Sequence, residues 1–206
     1  IYTLSLHDAL PIYQPMKHGN EVWQEYDRRG EKKRNGGIKP GDKIEGYFAG
    51  VAVVLYRYRQ DNVEYLFQQR SKKIKDNPNV WDVSAGGHIN YNENKIDAVV
   101  REATEEIGAK LDPEKIEFAS TYITAPGHGI VSAYFYDWTD KEDRFEFVDS
   151  EVQAVKWVAV KDLEKFREKL KIPLQNDENF FLNLRRWTKK INQKYGNCEF
   201  KNSVKD

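Results

Sequence analysis

Residues 87–109 read GHINYNENKIDAVVREATEEIGA, and this stretch decides the fold. Its second half predicts an amphipathic helix over residues 94–107, because apolar residues recur there at steps of three and four and form one buried stripe. Gly108 directly follows that pattern and is positioned as the C-terminal stop of the helix. The apolar stripe consists of Ile96, Val99, Val100, Ala103 and Ile107.

The same helix carries a group of closely spaced glutamates, Glu102, Glu105 and Glu106. Their spacing of three and four residues projects all of the carboxylates from one side of the helix, next to the apolar stripe. Like charges at that spacing repel, so the arrangement costs free energy unless a cation binds among them. Clustered hard oxygen ligands suit Mg²⁺ or Mn²⁺, whereas the structural alternative is a solvated acidic face.

Strand and helix patterns lie on both sides of this helix. Alternating apolar positions rich in valine and aromatic residues predict strands, and amphipathic stretches near the C-terminus predict two helices separated by Pro173. Gly86 and Gly87 interrupt one of the strands, which indicates that its backbone passes close to another group. The predicted strands are residues 47–58, 63–69, 81–89, 116–124, 130–138 and 152–159, and the predicted helices are residues 160–170 and 178–195.

The N-terminal part predicts a β-hairpin flap. Residues 21–27 alternate enough to form a short strand, and the turn signal Arg28-Arg29-Gly30 leads into a basic, glycine-containing loop that continues to residue 42.

Strands joined in hairpins, with one central helix and later helices, are typical of an α/β sandwich with a mixed sheet. A doubly wound parallel sheet would instead alternate strands and helices regularly.

Composition disfavours several classes of partner. Lysine plus arginine equals aspartate plus glutamate at 33 each, so the overall charge makes a nucleic-acid partner unlikely. No stretch reaches the roughly 18 apolar residues of a membrane span, so we expect no membrane association. Cys198 is the only cysteine, which rules out an intrachain disulfide and fits a reducing cytoplasm.

The length of 206 residues predicts a single domain with short appendages. We expect residues 1–20 to be a non-native or disordered leader, because the mildly apolar residues 1–12 resemble translated vector or sequencing-adapter sequence. The domain itself is expected to cover residues 21–195 and to be followed by a polar tail at residues 196–206. The sequence leaves open whether two copies of the chain associate as a homodimer.

Residues 87–109 resemble the Nudix box, in which glycines, glutamates and an arginine stand at fixed spacings. Every fixed position matches, and the context of a preceding strand and a following helix is also right. The resemblance implies a Nudix-type α/β/α sandwich and a hydrolase that cleaves a diphosphate linkage in a nucleoside diphosphate derivative or related compound. The matching residues are Gly87, Glu93, Arg101, Glu102, Glu105, Glu106 and Gly108.

The Nudix resemblance also implies roles for these residues. Glu102, Glu105 and Glu106 are expected to bind Mg²⁺ or Mn²⁺ together with the backbone carbonyl of Gly86, and one acid helps to deprotonate the attacking water. A glycine fits a carbonyl ligand because it has no Cβ. Glu93 and Arg101 are expected to form a salt bridge that orients the ligands, with Gly87 and Gly108 as structural positions of the motif.

Four neighbouring residues are further candidates, each with a structural alternative. Arg70 has a guanidinium that suits a phosphate but also suits a salt bridge. His88 follows the double glycine and could contact metal or phosphate, or form a structural hydrogen bond. Glu151 begins a strand where many Nudix enzymes keep an extra catalytic acid, and His128 lies between glycines in a loop that could contact substrate.

A weaker resemblance, over residues 21–187, is to the Nudix proteins similar to isopentenyl diphosphate isomerase. It rests on Tyr26-Asp27 with Gly30, on the runs at residues 68–71 and 78–88, and on Glu151-Val152 with Trp157. That neighbour makes an isomerase the alternative function, but Gly86 stands where the isomerase needs a cysteine and residues 126–129 lack its paired acids. A non-catalytic diphosphate-binding domain is the other alternative, which the intact glutamates disfavour.

Overall fold

The structure is a computed structural model that describes residues 22–27, 31–39, 42, 46–75, 77–123, 129–148, 150–175 and 177–202. The predicted leader at residues 1–20 lies outside the described residues. Within these ranges nine strands form one mixed sheet. The helices are α1 Lys95–Ile107, α2 Leu163–Arg167, α3 Ile172–Gln175 and α4 Glu178–Asn202.

An N-terminal hairpin of β1 (Trp23–Tyr26) and β2 (Lys32–Ile38) begins the described sheet. The predicted flap is therefore confirmed. The expectation of a loop through residue 42 was wrong in part, because residues 32–38 pair with β1 as a strand. Pairing with an adjacent strand overrides the low strand propensity of this basic, glycine-containing segment.

The centre of the sheet is β3 (Tyr47–Arg59), which forms a hairpin with β4 (Asn62–Arg70). The turn between them places Gln60 and Asp61 at positive φ, the conformation of a two-residue hairpin turn. Along its other edge β3 pairs in parallel with β8 (Gly129–Asp137). This parallel pair makes the sheet mixed, as predicted.

The strand predicted at residues 81–89 is divided into β5 (Trp81–Asp82) and β6 (Ala85–His88). The former pairs with β4 and the latter with β3, so the chain changes partner between them. The interruption lies at Val83 and Ser84, not at the glycines as the sequence indicated. The physical reason is that the sheet curls here. The side chain of Ser84 occupies the break between the two strands, where its hydroxyl donates a hydrogen bond to Leu66 O and accepts one from Leu55 N.

The remaining strands agree with the predictions. They are β7 (Glu117–Ile123), which pairs with β8, and β9 (Val152–Ala159), which pairs with β4. Apolar residues of α1 pack on one face of the sheet, and residues of α2 to α4 pack on the other face. This arrangement confirms the α/β/α sandwich.

The C-terminal helices differ from the prediction in length. Residues 160–170 form only a 3₁₀ turn (Val160–Asp162) followed by α2, because the chain then straightens to bridge Leu170 to Trp81. Pro173 lies within α3 instead of between helices, which the first turn of a helix tolerates. Helix α4 continues seven residues past the predicted end at Tyr195 and into the predicted tail.

No helix in the described ranges combines the length and apolar character that crossing a membrane requires.

Helix α1 ends at Gly108 as the sequence indicated, and it begins at Lys95, one residue after the predicted start. Asn94 caps the N-terminus and its side chain accepts a hydrogen bond from the Asp97 N–H at 2.9 Å. Gly108 adopts a left-handed φ of 67°, which a residue with a Cβ would adopt only with strain. These two caps fix the ends of the helix that carries Glu102, Glu105 and Glu106.

Helix α4 is held on the sheet by Asp137 at the end of β8. This carboxylate binds Lys194 Nζ and Tyr195 OH at 2.5 Å each, and it accepts hydrogen bonds from Thr139. Burial acts to raise the pKa of Asp137, but the hydrogen bonds from Lys194, Thr139 and Tyr195 outweigh it and leave the pKa below its ordinary value. The ionised carboxylate therefore contributes to docking of the helix.

We predict that Asp137→Asn lowers the free energy of unfolding at pH 7 by about 1–2 kcal/mol, because the charge-assisted hydrogen bonds weaken. Since the folded-state pKa of Asp137 is lowered, this contribution is lost as the pH falls through that pKa, and the difference from the parent should shrink below about pH 4. Urea unfolding followed by tryptophan fluorescence measures it. The exposed Asp140→Asn is the control, and equal stability of the Asp137 and Asp140 variants at pH 7 would contradict the assignment.

Candidate active site

Two carboxylates of α1 contact the backbone of β6 at consecutive glycines. The carboxylate of Glu102 lies against Gly87, where an added Cβ would come within 2.3 Å of Glu102 Oε1. The other carboxylate, that of Glu106, accepts a hydrogen bond from the Gly86 N–H at 2.8 Å. The close approach of helix and strand therefore depends on the missing side chain at residue 87.

Gly86 lacks a side chain for a different reason from the one expected. An added Cβ would lie 2.6 Å from Val51 O and 3.1 Å from Ala52 Cα, so strand pairing with β3 already excludes it. Its N–H is directed to Glu106. The role of its carbonyl as a metal ligand stays a prediction.

The burial of Glu106 corrects the expected arrangement of the carboxylates. It is only 4% exposed and belongs to the sheet-facing side of α1, whereas the sequence analysis placed all of the glutamates beside the apolar stripe. The reason is geometric, since Glu106 stands seven residues after the buried Val99 and three after the buried Ala103. Burial raises the pKa of Glu106 well above its ordinary value, and the charge of Glu102 adds to that increase.

Gln68 on β4 is the buried partner of Glu106. Its Nε2 donates to Glu106 Oε2 at 3.1 Å, while its Oε1 is buried without a hydrogen-bond partner. An orphaned buried oxygen of this kind is uncommon and needs a physical explanation. Gln68 was not among the predicted site residues, although a polar residue at an inward-facing position of a strand is a signal that could have identified it.

Arg101 connects the rest of the motif. Its guanidinium donates to both carboxylate oxygens of Glu93, at 2.8 and 3.0 Å, and to His88 O at 2.8 Å. It also contacts Glu102 at 2.9 Å and Glu105 at 3.1 Å. The predicted salt bridge between Glu93 and Arg101 is thus present, and Arg101 neutralises part of the charge among the glutamates.

Glu93 is held in its ionised form by this contact. Burial acts to raise the pKa of Glu93, but hydrogen bonds from Arg101 and from the Asn90 N–H outweigh it and lower the pKa below its ordinary value. Because Asn90 lies in the loop before α1 and Arg101 in the middle of the helix, the carboxylate ties the loop to the helix. This geometry agrees with an orienting role for Glu93.

The glutamates of α1 point in different directions. Glu105 has a side chain that is 52% exposed and turns outward toward Arg101, whereas Glu106 turns inward toward β6. Among the residues that the structure describes, no three acidic, histidine or cysteine side chains are grouped closely enough to form a metal-binding cluster. Arg101 bridges Glu102 and Glu105, since its guanidinium binds both carboxylates.

A cleft of about 950 Å³ lies beside these carboxylates. Gly86, Gly87 and His88 line it, and Glu102 and Glu106 approach these glycines from α1, but none of Glu102, Glu105 and Glu106 is among the described residues that line the cleft. The imidazole of His88 stacks on Trp23 with ring centroids 4.1 Å apart. This histidine therefore combines a structural contact with a position on the cleft wall.

The other predicted site residues lie elsewhere. Arg70 and Glu151 come together where β4 ends and β9 begins, because Ser71 N donates to Glu151 O at 2.6 Å. Neither residue is among the described residues that line the cleft. His128 lies outside the described residues. The roles of these three residues stay predictions.

A model of the NUDIX domain family matches residues 46–180, which is more than half of the chain and includes α1 and the strands β3 to β9. The chain belongs to the Nudix family. The matched range begins just before β3 and ends within the first residues of α4, so it contains the carboxylates, the described residues that line the cleft, and helices α1 to α3.

Individual Nudix proteins resemble this chain over different spans. The m7GpppN-mRNA hydrolase NUDT17 of Danio rerio is 39% identical over 71 residues, which are 34% of this chain and 22% of that protein. The chain thus spans about a fifth of the length of this relative. The protein DR0079 of Deinococcus radiodurans is 20% identical, with a TM-score of 0.61 over 80% of this chain and 98% of that one.

Two further solved structures share the fold. The Nudix domain of NrtR from Shewanella oneidensis, in complex with ADP ribose, has a TM-score of 0.56 at 19% identity and covers 70% of this chain and 90% of that one. The Ap4A hydrolase of C. elegans has a TM-score of 0.53 at 19% identity, over 70% and 97% of the two chains. At these identities the likeness establishes the fold.

We predict that Arg101→Met lowers the free energy of unfolding by about 1–3 kcal/mol in EDTA, because Glu93, Glu102 and His88 O all lose a donor. The matched control is Arg185→Met, since Arg185 has a 64% exposed side chain and forms a surface pair with Glu164. That control should change stability by at most about 0.5 kcal/mol. Urea unfolding measures both, and an Arg101 variant as stable as the parent would refute the central position of this guanidinium.

Proposed function

We propose that this Nudix protein hydrolyses a diphosphate linkage in a nucleoside diphosphate derivative or a related diphosphate compound, with Mg²⁺ or Mn²⁺ as cofactor. The observation that carries the proposal is the pair of carboxylates, Glu102 and Glu106, held against Gly87 and Gly86 beside a cleft of about 950 Å³. Such a cleft has the size of a small-molecule site. No cysteine or serine nucleophile is needed for attack by water at phosphorus.

The donor atoms fit a hard divalent cation. Glu102, Glu105 and Glu106 offer carboxylate oxygens, and Gln68 Oε1 is a buried oxygen without a hydrogen-bond partner close to Glu106. A buried carboxylate beside another carboxylate is costly, as the raised pKa of Glu106 reflects, and a positive ion offsets that cost. When bound, a divalent cation supplies charge neutralisation for the phosphates and acidifies a water molecule.

The residues of the chain have distinct tasks in this proposal. Glu102, Glu105 and Glu106 hold the cation, with the Gly86 carbonyl as a further ligand, and one of the acids, or Glu151, accepts a proton from the attacking water. Arg101 and Glu93 fix the helix relative to the loop that carries His88. Gly87 allows the carboxylate of Glu102 to reach the strand.

The relatives support the choice of a diphosphate substrate. The proteins named above include an mRNA cap hydrolase, an Ap4A hydrolase and a domain that binds ADP ribose, and each of these compounds contains a phosphoanhydride linkage. The individual substrate of this chain stays open. Arg70, His88 and His128 remain proposed substrate contacts.

The isomerase alternative requires a proton-transferring side chain where Gly86 stands. An added Cβ at this position would lie 2.6 Å from Val51 O, so the local packing disfavours any such side chain. The resemblance to isopentenyl diphosphate isomerase stays a prediction from the sequence runs alone.

A binding domain without catalysis is less favoured because the glutamates of the motif are all present. A cytoplasmic location and a homodimer also stay predictions.

We expect Glu105→Gln or Glu106→Gln to reduce turnover at least about a hundredfold, because each removes a negative charge that holds the cation. Glutamine has the shape of glutamate and is neutral, so the buried position should keep its stability. The assay is release of phosphate or nucleoside monophosphate from a panel of nucleoside diphosphate derivatives with Mg²⁺, and a chelator should abolish it. The exposed Glu168→Gln is the control, and near-normal turnover of either site variant would refute the ligand assignment.

A further inference from the structure

A line of buried polar side chains leads away from Glu106 toward the far wall of the cleft. Gln68, which donates to Glu106, lies directly opposite Asp82 in the pairing of β4 with β5. Directly paired residues place their side chains on the same face of a sheet. Asp82 therefore extends the polar line that starts at the carboxylates, and its side chain is only 5% exposed.

Lys171 is the cation at the end of this line. Its Nζ lies 2.5 Å from Asp82 Oδ2, and its side chain remains 31% exposed. Both residues line the same cleft as Gly86 and Gly87. Among the cleft-lining residues that the structure describes, Lys171 is the only lysine or arginine.

The backbone holds Lys171 in this position. Its N–H donates to Trp81 O at 2.9 Å, and the Trp81 N–H donates to Lys169 O at 3.1 Å, so the segment after α2 pairs with β5 like a short strand. This pairing is the reason that α2 ends early. A side chain fixed from both its backbone and its carboxylate partner loses little conformational entropy when it binds a ligand.

We propose that Lys171, held by Asp82, binds a phosphate oxygen of the diphosphate substrate in the cleft and is a determinant of substrate affinity. This inference rests on the proposed function, since it assigns the anionic group of that substrate to a particular cation. An ammonium group has three N–H donors, and the contact with Asp82 uses one of them. The remaining donors can meet phosphate oxygens, and charge-assisted hydrogen bonds of this type are strong.

The test uses methylenediphosphonate, a diphosphate analogue whose P–C–P bridge cannot be hydrolysed, so that binding is measured apart from turnover. Calorimetric titration with Mg²⁺ should give a dissociation constant at least about tenfold weaker for Lys171→Met than for the parent, whereas Lys171→Arg should stay close to the parent. The control is Lys169→Met, because Lys169 is exposed and lies two residues away outside the lining of the cleft. Thermal melting checks that each variant is folded, and Lys171→Gln is a second neutral variant.

Asp82→Asn separates the role of the aspartate from that of the lysine. Since Asp82 acts by holding Lys171, this change should weaken binding in the parent background but not in the Lys171→Met background. Unchanged affinity in both neutral Lys171 variants, or no binding of the analogue to the parent, would overturn the inference. If Glu106→Gln loses Mg²⁺-dependent binding while Lys171→Met keeps it, the proposed function stands and the inference about Lys171 fails.

Discussion

The close approach of helix α1 to strand β6 is the constraint on which the site depends. Glu102 occupies the space that a side chain at Gly87 would need, and Glu106 binds the Gly86 N–H from a buried position. The Glu106 carboxylate is costly in this environment, since burial and the charge of Glu102 oppose its ionisation and raise its pKa. A structure selected for stability alone would place apolar residues there, so the arrangement points to a cation as the third participant.

The same contact explains how the surrounding fold contributes. β3 pairs with β6, β4 and β8 along its length, which curls the sheet and leaves the cleft beside the glycines. Arg101 reaches from the middle of α1 to the loop before it and balances charge among the glutamates. The C-terminal segment then closes the far side of the cleft, because its pairing with β5 brings Lys171 to Asp82.

Local patterns predicted much of this architecture. The end of α1 at Gly108 and the major strands were predicted, because they follow from short-range chemistry that the sequence displays directly. The division at Val83 and Ser84 and the early end of α2 could not be predicted, because each depends on a partner distant in sequence. The strand β2 was missed because its pairing with β1 overrides the low strand propensity of a basic, glycine-containing segment. For the site, the salt bridge of Glu93 with Arg101 was predicted, whereas the burial of Glu106 was missed although its helical spacing from Val99 indicated it. Asp82 and Lys171 were missed because only the pairing of segments distant in sequence brings them together with Gln68.

The central claim is that the carboxylates packed against Gly86 and Gly87 form a binding site for a divalent cation. Electron paramagnetic resonance of Mn²⁺ tests it most directly, because free and protein-bound Mn²⁺ give distinguishable signals without any choice of substrate. We expect the parent to bind Mn²⁺, Mg²⁺ to displace it, and a Glu102→Gln, Glu106→Gln double variant to bind at least about tenfold more weakly. Binding of Mn²⁺ by the folded double variant as tightly as by the parent, or no binding by the parent, would contradict the claim.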